Sequence, residues 1–232
     1  MIIIRSIIFN LILVSTILGT GILALPLLAG PRSWVCCIRD GWIKVVIYCL
    51  GVVVGLHYRV EGAENLPDGH FMIASKHQSA WETLALHLIF QDPAIVLKRE
   101  LLMLPILGWF IAKVGMVPID RGGGSGALKT MLATARKWSN AGRPVIIFPQ
   151  GTRVPVGEDA KYHSGVYAIY KALGVPLIPV ALNSGMFWPR QAFVKFPGVI
   201  KVKLLKSIQP GLGRSDFMKA LEHSIEGAST NL

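Results

Sequence analysis

Residues 6–29 contain no charged side chain. About 20 apolar helical residues suffice to cross a hydrocarbon core of roughly 30 Å, so this run is long enough to span a bilayer. A cleaved leader is the rival reading, with Arg5 as its basic start. The run is too long for the apolar stretch of a leader, and no small-x-small cleavage site follows it. A retained membrane anchor is expected. A second apolar stretch, residues 42–56, contains Lys44. It is short for a span and is expected to lie in the interface or dip into one leaflet. Arg32, Arg39 and Lys44 lie between the two apolar cores and favour a cytoplasmic connection. If the second stretch only dips, the rest of the chain shares that face. Residues 1–56 therefore read as a membrane anchor, with one transmembrane helix and one interfacial helix.

The chain carries 24 Lys+Arg against 13 Asp+Glu, a net charge of +11. Basic chains often bind nucleic acid, but no nucleic-acid motif is visible and 52% of residues are hydrophobic. No nucleic-acid partner is expected. A basic surface beside an apolar anchor suits anionic lipid headgroups and phosphorylated substrates. Cys36, Cys37 and Cys49 have neither metal-ligand nor disulfide-framework spacing. His57, His70, His77, His87 and His163 form no tight ligand pair, so no metal is expected.

Residues 57–232 are of ordinary size for one globular domain. Apolar runs at 71–75, 94–98, 115–119, 145–148 and 177–182 read as strands. Residues 199–205 alternate apolar and basic side chains, as a half-exposed strand does. Helical spacing predicts helices over 82–90 and 127–140, and a last one capped by Ser215 and running to about Glu226. The glycine patch at 122–126 reads as a flexible loop. Interleaved strands and helices predict a layered α/β fold, with a central mostly parallel or mixed sheet behind N-terminal membrane-binding helices.

The chemistry-bearing stretch is Lys76-His77-Gln78-Ser79-Ala80-Trp81-Glu82-Thr83, directly after the apolar run at 71–75. A carboxylate that orients an imidazole makes it a general base. Positions five apart do not share a helix face. The pair works only if His77 sits on a loop and Glu82 in the first turn of the next helix. Ser79-x-x-Glu82 is also a capping box, which needs no chemistry. Three further clusters follow apolar runs, where α/β folds place ligands: residues 116–121 ending in Arg121, Phe148-Pro149-Gln150-Gly151-Thr152-Arg153, and residues 175–180. Guanidinium forks match phosphate oxygens.

Together these four clusters resemble the four blocks of the glycerolipid acyltransferase superfamily, and most closely the bacterial 1-acylglycerol-3-phosphate acyltransferases. His77 to Glu82 matches the first block, His-x4-Asp. Arg121 ends the second, residues 148–153 match Phe-Pro-Glu-Gly-Thr-Arg, and residues 175–180 match the Val-Pro-x-x-Pro-Val strand. Lys98, Arg99, Pro105 and Gly108 also fit the spacing. Two residues depart: Glu82 stands where the family usually has Asp, and Gln150 where it usually has Glu. Glutamine can brace a loop or bind a hydroxyl but carries no charge.

The resemblance implies acyl transfer from a thioester to the sn-2 hydroxyl of lysophosphatidic acid, forming phosphatidic acid. It implies His77 as base, oriented by Glu82. It implies Arg121, Arg153, Lys98, Gln150, Gly151 and Thr152 at the substrate. No cofactor is implied; acyl-CoA or acyl carrier protein would be the donor. The implied location is a bacterial inner membrane, with the catalytic part facing the cytoplasm. Acylation of another lysophospholipid or a lyso-ornithine lipid is a sister reading. A serine hydrolase is disfavoured, because no Gly-x-Ser-x-Gly elbow occurs. A non-catalytic basic membrane module remains as a fourth reading, in which His77 is dispensable.

Overall fold

The structure, a computed structural model, describes residues 1–158 and 160–232. Helix α1 runs Ile2–Leu23. It starts before the expected apolar run and takes Arg5 into its first turns. It ends ahead of Pro26, which sits in a short 3-10 turn, Leu25–Ala29, because proline cannot donate within a continuing helix. Helix α2 (Arg32–Cys49) leads into a single π turn, Leu50–Val54. Gly55 closes that turn at φ +80°, a left-handed conformation that favours glycine.

The expected interfacial segment at 42–56 is therefore divided. Ile43, Val46, Leu50 and Val54 recur every three or four residues and are buried against the protein. Val45, Tyr48 and Val52 lie exposed on the opposite side. Leu56 already begins strand β1 (Leu56–Glu61).

The remaining elements are β2 (Met72–Ser75), α3 (Trp81–Ile89), β3 (Ala94–Lys98), α4 (Leu107–Val114), β4 (Val117–Ile119), α5 (Gly124–Asn140) and β5 (Val145–Ile147). They are followed by α6 (Gly165–Leu173), β6 (Leu177–Leu182), α7 (Ser184–Phe187), β7 (Gly198–Leu204) and α8 (Arg214–Ser229). Strands β3 and β6 keep their expected bounds, and the others shift by a residue or two. The glycine patch is only partly a turn, since α5 begins at Gly124. Helix α8 starts one residue before Ser215; its N-cap is Gly213, with no side-chain cap bond. Strand β1 and helices α4 and α6 were not legible as elements in the sequence.

One seven-stranded sheet has the order β1-β7-β6-β2-β5-β3-β4. All neighbours are parallel except β6 and β7. The sheet is mixed and mostly parallel, as expected. Side chains alternate across it. Ile73, Ile146 and Ile178 join Phe9, Val46, Trp81 and Leu86 in one core. Met72, Ala74, Val145 and Leu177 join Met131, Ile169, Phe217 and Leu221 in the other. The result is three layers, helix, sheet and helix. Helices α1 and α2 share the first core with the sheet, so no division of packing falls at residue 56.

Helix α1 is also tied to the body by polar contacts. The Lys195 N–H donates to Ser6 Oγ at 3.0 Å, and Asn10 Nδ2 donates to the Phe193 carbonyl at 3.0 Å. Phe9 meets Trp188 edge to face, with centroids 5.6 Å apart. At its other end, Gly21 packs so closely on Ile106 that an added Cβ would lie 3.3 Å from Ile106 Cγ2.

Candidate active site

Strands β2, β5, β3 and β4 run parallel and side by side, so their C-terminal ends line one edge of the sheet. Each delivers a block identified in the sequence. His77 follows β2, residues 148–153 follow β5, Lys98 ends β3, and Arg121 follows β4. Side chains distant in sequence are thus gathered by topology alone.

His77 sits on the β2–α3 loop and Glu82 in the first turn of α3. His77 Nδ1 lies 2.8 Å from Glu82 Oε1. An ionised carboxylate only accepts, so Nδ1 carries the hydrogen and Nε2 keeps a free lone pair. Glu82 is fully buried. Its Oε1 also accepts the Gln78 and Ser79 amides at 2.7 and 2.6 Å, and its Oε2 accepts from Ser184 Oγ at 2.7 Å. Four donors and the positive end of α3 hold this carboxylate in place. The Glu82-to-Ser79 half of the capping box is present, and the same carboxylate serves the imidazole. The capping contact and the contact with the imidazole are therefore made by one and the same oxygen.

The β5 loop wraps the histidine. The imidazole stacks on Phe148 at 4.1 Å, 19° from coplanar. The His77 N–H donates to Gln150 Oε1 at 2.9 Å, and the His77 carbonyl accepts from the Val154 N–H at 2.8 Å. Gln150 is buried behind the histidine and is not among the residues lining the cavity. It acts as a brace, a task for which an amide oxygen is sufficient. Its Nε2 has no hydrogen-bond partner among the described residues.

The cavity in front of His77 has a volume of about 1380 Å³. Its rim carries Lys98, Arg121, Gly151, Thr152 and Arg153. Apolar walls come from α1, α2, α3 and α4, including Ile17, Ile43, Leu84 and Phe110. Arg121 Nη2 donates to the Gly151 carbonyl. Lys98 is half exposed, with its ammonium 3.0 Å from Glu100. Gly151 adopts φ +67°, and an added Cβ there would lie 2.9 Å from His163 Cδ2.

Among the lining residues given no role by the sequence reading, three lie close to the site. His163 covers Gly151, Arg190 donates to the Arg153 carbonyl at 3.0 Å, and Thr83 follows Glu82. His163 and Arg190 are isolated in sequence and carry no motif. Thr83 alone had a signal, its place beside the catalytic-type pair.

Four amides at the start of this loop and helix also have partners. The His77, Gln78, Ser79 and Trp81 N–H groups all donate within the protein. They are spent on positioning and are not free to form an oxyanion hole.

At the far end of the cavity, Arg39 and His87 line the wall near Asp92. Burial pushes the His87 imidazole down to about 3, helped by the charges of Arg39 and Arg143, so it is neutral at pH 7. Burial raises the Asp92 carboxyl, but the bond from Arg32 and the Arg143 charge outweigh it and hold Asp92 below the usual range.

An α/β sheet that presents a carboxylate-oriented histidine beside a cationic rim and an apolar cavity is a site built for an amphiphilic, anionic substrate. The chain belongs to the acyltransferase family, whose profile matches residues 57–183. It is 38% identical over 205 residues to a 1-acyl-sn-glycerol-3-phosphate acyltransferase of Pseudomonas aeruginosa, covering 86% of this chain and 78% of that one. An enzyme of the same name from Saccharomyces cerevisiae is 27% identical over 72% of this chain and 57% of its own length. The crystal structure of the 1-acyl-sn-glycerophosphate acyltransferase PlsC from Thermotoga maritima shares the fold. Its TM-score is 0.78 at 22% identity, covering 99% of this chain and 95% of that one.

Proposed function

We propose that this enzyme transfers an acyl group from a thioester to the sn-2 hydroxyl of 1-acyl-sn-glycerol 3-phosphate, yielding phosphatidic acid. The observation that carries the reading is the His77–Glu82 pair opening onto a cavity lined by Lys98, Arg121, Arg153 and Arg190 and by apolar side chains. His77 Nε2 takes the proton of the sn-2 hydroxyl while Glu82 stabilises the imidazolium. The alkoxide oxygen attacks the thioester carbonyl, the C–S bond breaks, and the proton passes from His77 to the departing thiolate. Such general-base assistance contributes about 100- to 10,000-fold. Arg121 and Arg153, with Lys98, hold the phosphate, and the apolar walls take an acyl chain. Gly151 and Thr152 shape the floor beneath the headgroup. The donor is acyl-CoA or acyl carrier protein. A lyso-ornithine lipid has no phosphate for these guanidiniums, which disfavours that sister activity.

The substrate lies in a bilayer, and α1 is long and apolar enough to enter one. Because α1 is held to the body near both ends, helix and body meet the membrane as one unit. Exposed Trp34, Met103, Leu104 and Trp109 extend the apolar surface beyond α1. This reading puts the enzyme on the cytoplasmic face of a bacterial inner membrane.

The test is incubation of the purified protein with 1-acylglycerol 3-phosphate and each donor, following phosphatidic acid by mass. His77→Ala should lose at least about 100-fold in turnover while folding normally. Retention of more than about a tenth would remove His77 as the base.

A further inference from the structure

Lysine is seldom fully buried without a partner. Lys76, the residue before His77, has a side chain only 6% exposed. Its ammonium points away from the cavity and meets Glu226 Oε2 on α8. The other oxygen, Glu226 Oε1, accepts from Tyr162 OH at 2.8 Å. Burial, with the Glu226 charge beside it, keeps the Tyr162 phenol protonated. Tyr162 is itself buried and immediately precedes His163. The His163 N–H donates to the Pro149 carbonyl at 2.8 Å, and its ring covers Gly151.

One carboxylate is thus bonded to both halves of the site. Through Lys76 it reaches the loop that carries His77. Through Tyr162 and His163 it reaches the loop that carries Gly151, Thr152 and Arg153. Helix α8 can hold it there because Phe217, Leu221 and Ile225 on the same helix are buried against the sheet. Glu226 follows Ile225 directly. The matched family region ends at residue 183, so α8 lies outside it.

We infer that Glu226 is a positioning residue for the acyl transfer: it cross-braces the general-base loop against the phosphate-binding loop and sets their spacing. The inference rests on the proposed acyl transfer to lysophosphatidate for its kinetic readout only. A side chain touching neither substrate should act on turnover rather than on binding. Misplacement of reacting groups by about 1 Å can cost about 100-fold.

The test compares Glu226→Leu, Tyr162→Phe, Lys76→Met and the double variant Lys76→Met/Glu226→Leu with wild type. Glu226→Leu should lower kcat by about 10- to 100-fold, with both KM values within about threefold. It leaves Lys76 buried without this carboxylate, so it should also lower the melting temperature. The double variant removes the stranded charge. It should recover most of the melting temperature but not kcat, because the brace stays broken. A purely structural role predicts that kcat returns with stability, and that result would overturn the inference. Unchanged kcat in folded Glu226→Leu would also overturn it. If Glu226→Leu does not fold, Tyr162→Phe decides: it deletes one hydroxyl and no charge, and it should still lower kcat severalfold; full turnover rejects the brace. Hydrogen exchange supplies a readout independent of substrate. Peptides covering residues 76–80 and 149–154 should exchange faster in Glu226→Leu than in wild type. Unchanged protection sinks the brace, whereas a wild type inactive on lysophosphatidate sinks only the proposed reaction.

Discussion

Replacing Glu82 by glutamine separates its charge from its shape. The carboxylate makes four contacts, three through Oε1 and one through Oε2. Glutamine can keep the three by presenting its carbonyl at the Oε1 position. Its NH2 then faces Ser184, whose hydroxyl can turn to accept. The loop should therefore keep its geometry and the fold should lose little stability. The negative charge facing the imidazole is lost. Two unit charges about 4 Å apart, at an effective dielectric constant of about 20, interact by about 4 kcal/mol. A neutral imidazole gains little of this, and the imidazolium formed during proton transfer gains most of it. The expected fall in kcat is therefore about a thousandfold. The assay is phosphatidic acid formation under saturating substrates, with folded enzyme quantified by a thermal melt. A Glu82→Gln enzyme that melts normally and keeps more than about a tenth of wild-type kcat would refute the electrostatic role. Glu82→Asp offers a second check. It retains the charge but pulls the carboxylate back by one methylene from the Gln78 and Ser79 amides. It should fall between wild type and Glu82→Gln, although aspartate is the family's usual residue here.

Arg121→Lys and Arg153→Lys should mainly raise KM for lysophosphatidate, by about 10- to 150-fold if nothing compensates, because lysine lacks the fork; a change in the donor KM alone would reassign these arginines. Acidification should destabilise the protein through His87, whose folded value is depressed from 6.5 to about 3. Its contribution is fully present above the unfolded value and is lost as pH falls through and below it, by about 2 kcal/mol between pH 7 and pH 5; melts of His87→Asn should lack this part of the slope. Ile4 and Leu11 are both exposed on α1, seven residues apart and on one face. Ile4→Asp/Leu11→Asp should weaken vesicle binding at least about tenfold per substitution while leaving the melt unchanged. Undiminished flotation with vesicles would remove α1 from the membrane contact.

The sequence was legible where function and local structure coincide. A histidine five residues before a carboxylate excluded a shared helix face, and this located the loop-to-helix transition at 77–82. The strands β3 and β6 were legible because each is a continuous buried apolar run. Partnerships across the chain were not. Nothing near Glu82 announces Ser184, which follows β6 and lies 102 positions away. Lys76 looked like a basic loop residue until α8 supplied its carboxylate. Residues 42–56 looked like membrane material because covering by protein and covering by lipid select the same side chains at the same spacing. The loop amides are a similar case: sequence places the His77, Gln78, Ser79 and Trp81 N–H groups but not the acceptors that occupy them.

The anchoring of α1 also constrains the order of events during synthesis. Phe9 leaves the ribosome before any of the body, yet its aromatic neighbour is Trp188, and Ser6 pairs with Lys195, 189 positions later. Helix α1 must therefore wait for residues 188–195 before this part of its inner face is covered. In that interval the helix carries only one charge, Arg5, and a few small polar groups among apolar side chains. That is the state in which targeting machinery and the bilayer compete for it. On the proposed function, delivery to the membrane is thus decided by an unfinished chain, and the segment at 188–195 closes the choice.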